Sequence, residues 1–112
     1  MKLNHRISIY VPSTTDGDKP ARRAQKRETA RAARYLCKYF GGCTQTAARG
    51  YWVSDTKGLI SEGQNIVFSA CTEADKGRHA AKIAAYCKRL ARRMRQEAVT
   101  LEIDGELSFI EA

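Results

Sequence analysis

Long apolar runs are missing from this chain of 112 residues. No stretch approaches the roughly 18 apolar residues that a membrane-spanning helix needs. The opening "MKLNHRISIYVPST" has only a short strand-like run after its first lysine and lacks a small-residue cleavage site, so no signal peptide is expected. Histidine is scarce, with only His5 and His79. The four cysteines, Cys37, Cys43, Cys71 and Cys87, form no C-x-x-C pair and have no histidine at zinc spacing. Gly-rich phosphate loops and the G-x-S-x-G nucleophile motif are also lacking, and "FGG" at 40–42 is too short to cradle a phosphate. His79 beside Arg78 and Lys82 reads as a solvated residue, as do Asp55 and Glu62 in a polar loop. With no acid–base pair, nucleophile or ligand cluster in view, the expectation is a non-enzymatic protein without cofactor or metal, reduced and cytoplasmic.

Positive charge is abundant and unevenly placed. The whole chain is +8, yet Lys19–Phe40 carries +7 and Ala74–Glu97 carries +6, so the remainder is net acidic. Such polarity restricts the surface that could meet a polyanion.

The order of elements follows from periodicity. Arg6–Val11 alternates Ile7, Ile9 and Val11 with Arg6, Ser8 and Tyr10, as a half-buried strand does. "PSTTDGDKP" is a polar loop, and Asp18 and Pro20 suit a helix start. A helix is predicted over about 20–40, with Ala33, Leu36, Cys37 and Phe40 on its apolar side and Gly41 as the residue that ends it. Two β-rich stretches, 43–54 and 64–71, flank a loop at Lys57-Gly58. A second helix is predicted over 74–97, burying Ile83, Cys87, Leu90 and Met94. The tail "VTLEIDGELSFIEA" reads as a hairpin. A three-residue loop ending in Gly105 would pair Leu101 with Leu107 and Val99 with Phe109, collecting the apolar groups on one face; a two-residue Asp104-Gly105 turn would mix them with charges. The expected fold is one α+β domain, a ferredoxin-like β-α-β-β-α-β two-layer sandwich with an antiparallel sheet and a C-terminal hairpin.

Within that fold both helices present Arg-rich outer faces. Arg23, Arg27, Arg31, Arg34 and Lys38 on the first, with Arg78, Lys82, Arg89 and Arg93 on the second, are the candidate contacts to nucleic-acid phosphates or to an acidic host protein. The open sheet face, with Tyr10, Trp52 or Tyr51, and Val67, is a candidate homodimer interface. Arg49-Gly50-Tyr51-Trp52 sets a cation beside two aromatics, and Arg49, Tyr51 and Trp52 are candidate pocket residues. The glycine marks either a bulge or a close approach.

Phe40-Gly41-Gly42-x-Thr44, then Gly50-Tyr51-Trp52, Gly58 and Glu62, with "IYVPST" and "LEIDGELSFI" at the two ends, resembles a family of small uncharacterised bacterial proteins often carried by phages and other mobile elements. The resemblance implies a mobile-element setting and brings no established activity. Two other readings stand beside the nucleic-acid-associated one. The first is an inhibitor of a host defence system that binds a protein or sequesters a signalling nucleotide. The second is a dimeric ferredoxin-like ligand-binding protein or enzyme with a pocket in the fold.

Overall fold

The computed structural model describes residues 2–112. Its elements run β1 (His5–Pro12), β2 (Thr14–Thr15), β3 (Lys19–Pro20), α1 (Arg22–Phe40), β4 (Thr44–Ser54), β5 (Gly58–Cys71), α2 (Glu73–Arg93), β6 (Ala98–Ile103) and β7 (Glu106–Glu111). Five strands form one sheet in the order β4-β5-β1-β6-β7, every pair antiparallel. Both helices pack on one face of it, giving the expected ferredoxin-like α+β architecture with an added edge strand. No helix among the described residues is long and apolar enough to cross a membrane.

Strand alternation dictates the core. Ile7, Ile9 and Val11 of β1, Val67 of β5, and Val99 and Leu101 of β6 point to the helices and meet Leu36, Ile83, Cys87, Leu90 and Met94. Val67 therefore lies in the core and not on the open face where the sequence placed it. Thr72 caps α2 by accepting from the Asp75 amide at 3.2 Å, with Glu73 and Asp75 in the first turn and Arg92 and Arg93 in the last, charges that oppose the helix dipole at each end. Gly41 takes the left-handed conformation (φ 81°) that ends α1.

Four local expectations change. First, α1 begins at Arg22, because Pro20 pairs with Thr14 in the short β2–β3 ladder folded over Asp16-Gly17. Second, α1 buries Glu28, Thr29, Ala32 and Leu36, while Cys37 is exposed. The helix is rotated toward Glu28 because that carboxylate, 1% exposed, bridges to α2: Arg93 Nε donates to it at 3.0 Å, with Arg31 and Arg27 at 3.6 and 3.7 Å. Third, β5 begins at Gly58, so β4 and β5 form one continuous ladder from Thr44↔Phe68 to Ser54↔Gly58. Fourth, α2 stops at Arg93. Arg95 adopts φ 52°, and the Gln96 amide returns to the Ala91 carbonyl at 2.9 Å, a helix-ending turn usually built on glycine.

The C-terminal hairpin takes the two-residue register. Ile103 pairs with Glu106, Leu101 with Ser108, and Thr100 with Phe109, across Asp104 (φ 53°) and Gly105 (φ 85°). Two positive φ values match the right-handed strand twist that a tight hairpin needs. Asp104 is fixed there by the Arg6 amide (2.8 Å), His5 Nδ1 (2.7 Å) and Lys76 Nζ (2.9 Å). These contacts hold its carboxyl well below the usual carboxylate range. The three-residue register fails because β7 is an edge strand that supplies Ile110, opposite Val99, to the helix-side core and does not need Leu107 and Phe109 there. Leu107 and Phe109 turn to the other face of the sheet, 53% and 70% exposed.

Candidate functional site

That other face carries a broad open cleft of about 1120 Å³. Its floor comes from the centre of the sheet: Tyr10 of β1, Glu62, Gln64 and Ile66 of β5, and Thr100 of β6. One wall is the far part of β4, Arg49 to Trp52; the opposite wall is Leu107 and Phe109 of β7. Its end is closed by Asp16-Gly17 from the β2–β3 turn and by Arg95, Gln96 and Glu97 from the link between α2 and β6.

The early stop of α2 builds this end. Gln96, released from the helix, points its Nε2 at the Thr14 carbonyl (2.7 Å) and Thr14 Oγ1 (2.9 Å). Thr14 Oγ1 in turn donates to Glu62 Oε1 at 2.8 Å. Arg95 reaches Asp16 at 3.4 Å, and Thr15 Oγ1 donates to the Met94 carbonyl at 2.7 Å. A chain of side chains from three elements thus fixes Glu62 at the cleft floor. Gly50 holds the normal ladder position opposite Glu62, so there is no bulge. A Cβ there would sit at ordinary contact distance, 3.5 Å from Gln64 Nε2, so no close approach requires the glycine either.

The lining reads chemically as follows. Asp16, Glu62 and Glu97 face Arg95, while Arg49 turns its guanidinium to Ser61 on the other side of β4, so the cleft of a +8 protein is lined by more acid than base. Tyr10, Trp52 and Phe109 supply aromatic surface, and Gln64, Gln96 and Thr100 supply donors and acceptors. This composition suits a small cationic or zwitterionic molecule bearing a flat ring better than a polyanion.

The sequence-derived residues divide cleanly. Arg49, Tyr51 and Trp52 all belong to the β4 wall, but strand alternation sends only the Trp52 side chain to the cleft face; Arg49 donates to Ser61 Oγ at 3.4 Å on the opposite face, which Tyr51 shares. Arg23, Arg27, Arg31, Arg34, Lys38, Arg78, Lys82 and Arg89 lie exposed on the helices, and Arg93 is half-buried. Much of this charge is already used. Arg27, Arg31 and Arg93 surround Glu28, Arg78 pairs with Asp75 at 3.4 Å, and Lys82 and Arg89 lie over the Tyr39 and Tyr86 rings. His79, expected in solvent, packs against Tyr39 and Phe40 with ring centroids 4.7 and 5.6 Å away. Tyr10 and Glu62 were visible in the sequence without being joined to the site. Gln96 and Glu97 were hidden inside the predicted helix, where the run "RRMRQEA" contains neither glycine nor proline to mark its end.

No family model matches the chain, and no curated protein matches it. Solved structures do. A phage SAM lyase in complex with S-methyl-5′-thioadenosine superposes with a TM-score of 0.66 at 18% identity, covering 100% of this chain and 92% of that one. A phage SAM lyase in its apo state gives 0.66 at 19% identity, over 97% and 90% of the two chains. The fold is shared across the whole length. The expectation of a non-enzymatic, nucleic-acid-associated protein is thereby overturned: the matching chains are an enzyme's, and one of them holds a small thioether nucleoside. The cleft opens on the face opposite the basic helices.

Proposed function

We propose that this chain is a lyase of S-adenosylmethionine, acting in the cytoplasm of a host cell as a phage or mobile-element protein. The observation that carries the reading is the acid-rich, aromatic cleft on the sheet face of a strongly basic chain. S-adenosylmethionine has a sulfonium, an ammonium and one carboxylate, hence a net charge of +1, attached to a flat adenine. Glu62 and Glu97 are the groups to meet its cationic centres and ribose hydroxyls. Trp52 and Tyr10 offer faces for the adenine and the sulfonium. Arg95, at the closed end of the cleft, is the cation available to its carboxylate.

The chemistry asks little of the protein beyond geometry. The bond between sulfur and the γ-carbon of the methionine portion breaks, its electron pair passes to sulfur, and neutral S-methyl-5′-thioadenosine departs. The substrate's own carboxylate supplies the new bond to that carbon, closing a five-membered lactone. Charge cancels within the molecule and no proton is transferred, so neither a general acid nor a general base is required. This accounts for an active site with no catalytic constellation legible in the sequence: catalysis here is the holding of carboxylate, carbon and sulfur in line. Consumption of the cell's methyl donor also joins this reading to the expectation of an inhibitor of host defence.

Small-molecule sites usually bury most of their ligand, and this cleft is open to solvent beside exposed Trp52, Leu107 and Phe109. The reading therefore includes a second copy of the chain laid against the open sheet face, covering the bound ligand. Light scattering should give a mass above 12.5 kDa, and a monomer at micromolar concentration would remove this part of the reading. For the reaction, the protein is mixed with S-adenosylmethionine and followed by proton NMR. Growth of the S-methyl-5′-thioadenosine methyl signal is expected, and a spectrum unchanged against a protein-free control overturns the assignment.

A further inference from the structure

Two thiols face each other at the joint between α1 and β4, far from the cleft. Cys37 lies exposed in the last turn of α1, and Cys43 lies half-buried just before β4, their sulfurs 3.6 Å apart. Cys43 Sγ also lies 3.6 Å from the Ala33 carbonyl, so the pair sits against the last turns of the helix. Between them come Gly41, in the left-handed region at φ 81°, and Gly42, and an added Cβ on either would meet nothing within 4 Å. A disulfide has sulfurs about 2.05 Å apart, so closure needs an approach of about 1.5 Å. Rotation about χ1 and the open glycine link can supply it.

We propose that Cys37 and Cys43 form a modification site at which a peroxide converts the dithiol to an intramolecular disulfide. Cys37 sulfur attacks the peroxide, taking one oxygen to become a sulfenic acid as the other oxygen leaves in water. Cys43 sulfur then attacks the Cys37 sulfur, forming the S–S bond and expelling the sulfenic oxygen as a second water. Two thiol hydrogens and two electrons are thus passed to the peroxide. The order of roles follows from access: Cys37 is exposed, whereas burial and then the neighbouring Cys37 thiol push Cys43 up to about 11, suiting it to the slower resolving step. The other two cysteines are internal controls. Cys71 and Cys87 are 2% and 0% exposed, and burial pushes Cys87 up to about 12.

This inference does not rest on the lyase reading. The first half of β4 separates the thiols from the cleft, since Thr44 to Ala48, its first cleft-lining residue, spans about 13 Å at a strand's rise of about 3.3 Å per residue. The disulfide ties the end of α1 to the start of β4 and leaves cleft binding unchanged.

The test treats folded protein with hydrogen peroxide, then denatures it and labels with N-ethylmaleimide. Uptake should fall from four labels to two, with a mass loss of about 2 Da before labelling and a Cys37–Cys43 cross-link in the peptide map. In Cys43→Ser, Cys37 should stop at a sulfenic acid trapped by dimedone. Four labels after peroxide, a bridge to Cys71 or Cys87, a bridge between chains, or direct passage of wild-type Cys37 to sulfinic acid would each overturn it. Phenylarsine oxide, which spans two neighbouring thiols, checks proximity without oxidation. One equivalent should bind the wild type at least tenfold more tightly than either Cys37→Ser or Cys43→Ser, and equal binding would contradict the geometry.

Discussion

The buried carboxylate between the helices offers the sharpest test of what the basic surface is for. Glu28 is 1% exposed and accepts from Arg93 Nε at 3.0 Å, with Arg31 and Arg27 completing a triangle of guanidinium groups at 3.6 and 3.7 Å. Removing one partner from a buried pair leaves an uncompensated charge, which costs about 3–5 kcal/mol. Arg93→Met should fall at the low end, about 3 kcal/mol, because Arg27 and Arg31 remain beside the carboxylate. Glu28→Met should cost less, about 1–2 kcal/mol, since the arginine side chains it abandons are 28–59% exposed and can be hydrated where they stand. The double variant should be less destabilised than Arg93→Met alone, because it leaves no buried ion. Urea unfolding followed by circular dichroism reads all three, and the slope should stay that of the wild type if only stability changes. Arg93→Met no less stable than Glu28→Met, or strictly additive effects, would refute the view that these arginines serve the helix interface.

Other predictions concern the hairpin, the cleft and the ligand. Asp104 has a folded pKa below its unfolded value, so its contribution is present above the ordinary carboxylate range and is lost as the pH falls below it. Asp104→Asn, whose side chain tolerates the φ of 53°, should flatten the acid limb of stability against pH; an unchanged acid limb would show that the contacts to His5, Lys76 and the Arg6 amide contribute nothing. Gly50→Ala should keep the fold and gain a few tenths of a kcal/mol, because its Cβ would stand at ordinary contact distance, 3.5 Å, from Gln64 Nε2; a large loss in thermal unfolding would mean that the strand cannot accept a side chain there. Trp52→Ala should weaken S-methyl-5′-thioadenosine binding about tenfold to a hundredfold, taking base–aromatic stacking at about 1–3 kcal/mol. Calorimetry showing wild-type affinity would move the adenine off β4.

The sheet and both helices were legible because their signals are local: alternation in Arg6–Val11, a 3.6-residue stripe in α2, and a glycine at the end of α1. What escaped depended on partners remote in sequence. The face of α1 was misread because Glu28 looks like a surface residue until Arg93, 65 positions away, is placed against it. The hairpin register was misread because the requirement to bury Leu107 and Phe109 was imposed on an edge strand, where those side chains instead form a wall of the cleft. The site itself was half visible. A cation beside two aromatics marked Arg49, Tyr51 and Trp52, of which Trp52 faces the cleft, whereas Gln96 and Glu97 become cleft residues only because Arg95 breaks the helix without glycine. On the proposed lyase reading the silence of the motifs has a chemical reason, since a substrate that carries both its nucleophile and its leaving group leaves no acid–base pair for a motif to reveal.

The most direct test uses S-adenosylmethionine in water enriched in ¹⁸O, with early products read by mass spectrometry. The cleft chemistry argued above yields S-methyl-5′-thioadenosine and an unlabelled lactone in equal amounts, with both lost together in a Glu62→Gln, Trp52→Ala double variant that still folds. No cleavage by the wild type, or a first product that already carries ¹⁸O from solvent, would contradict it.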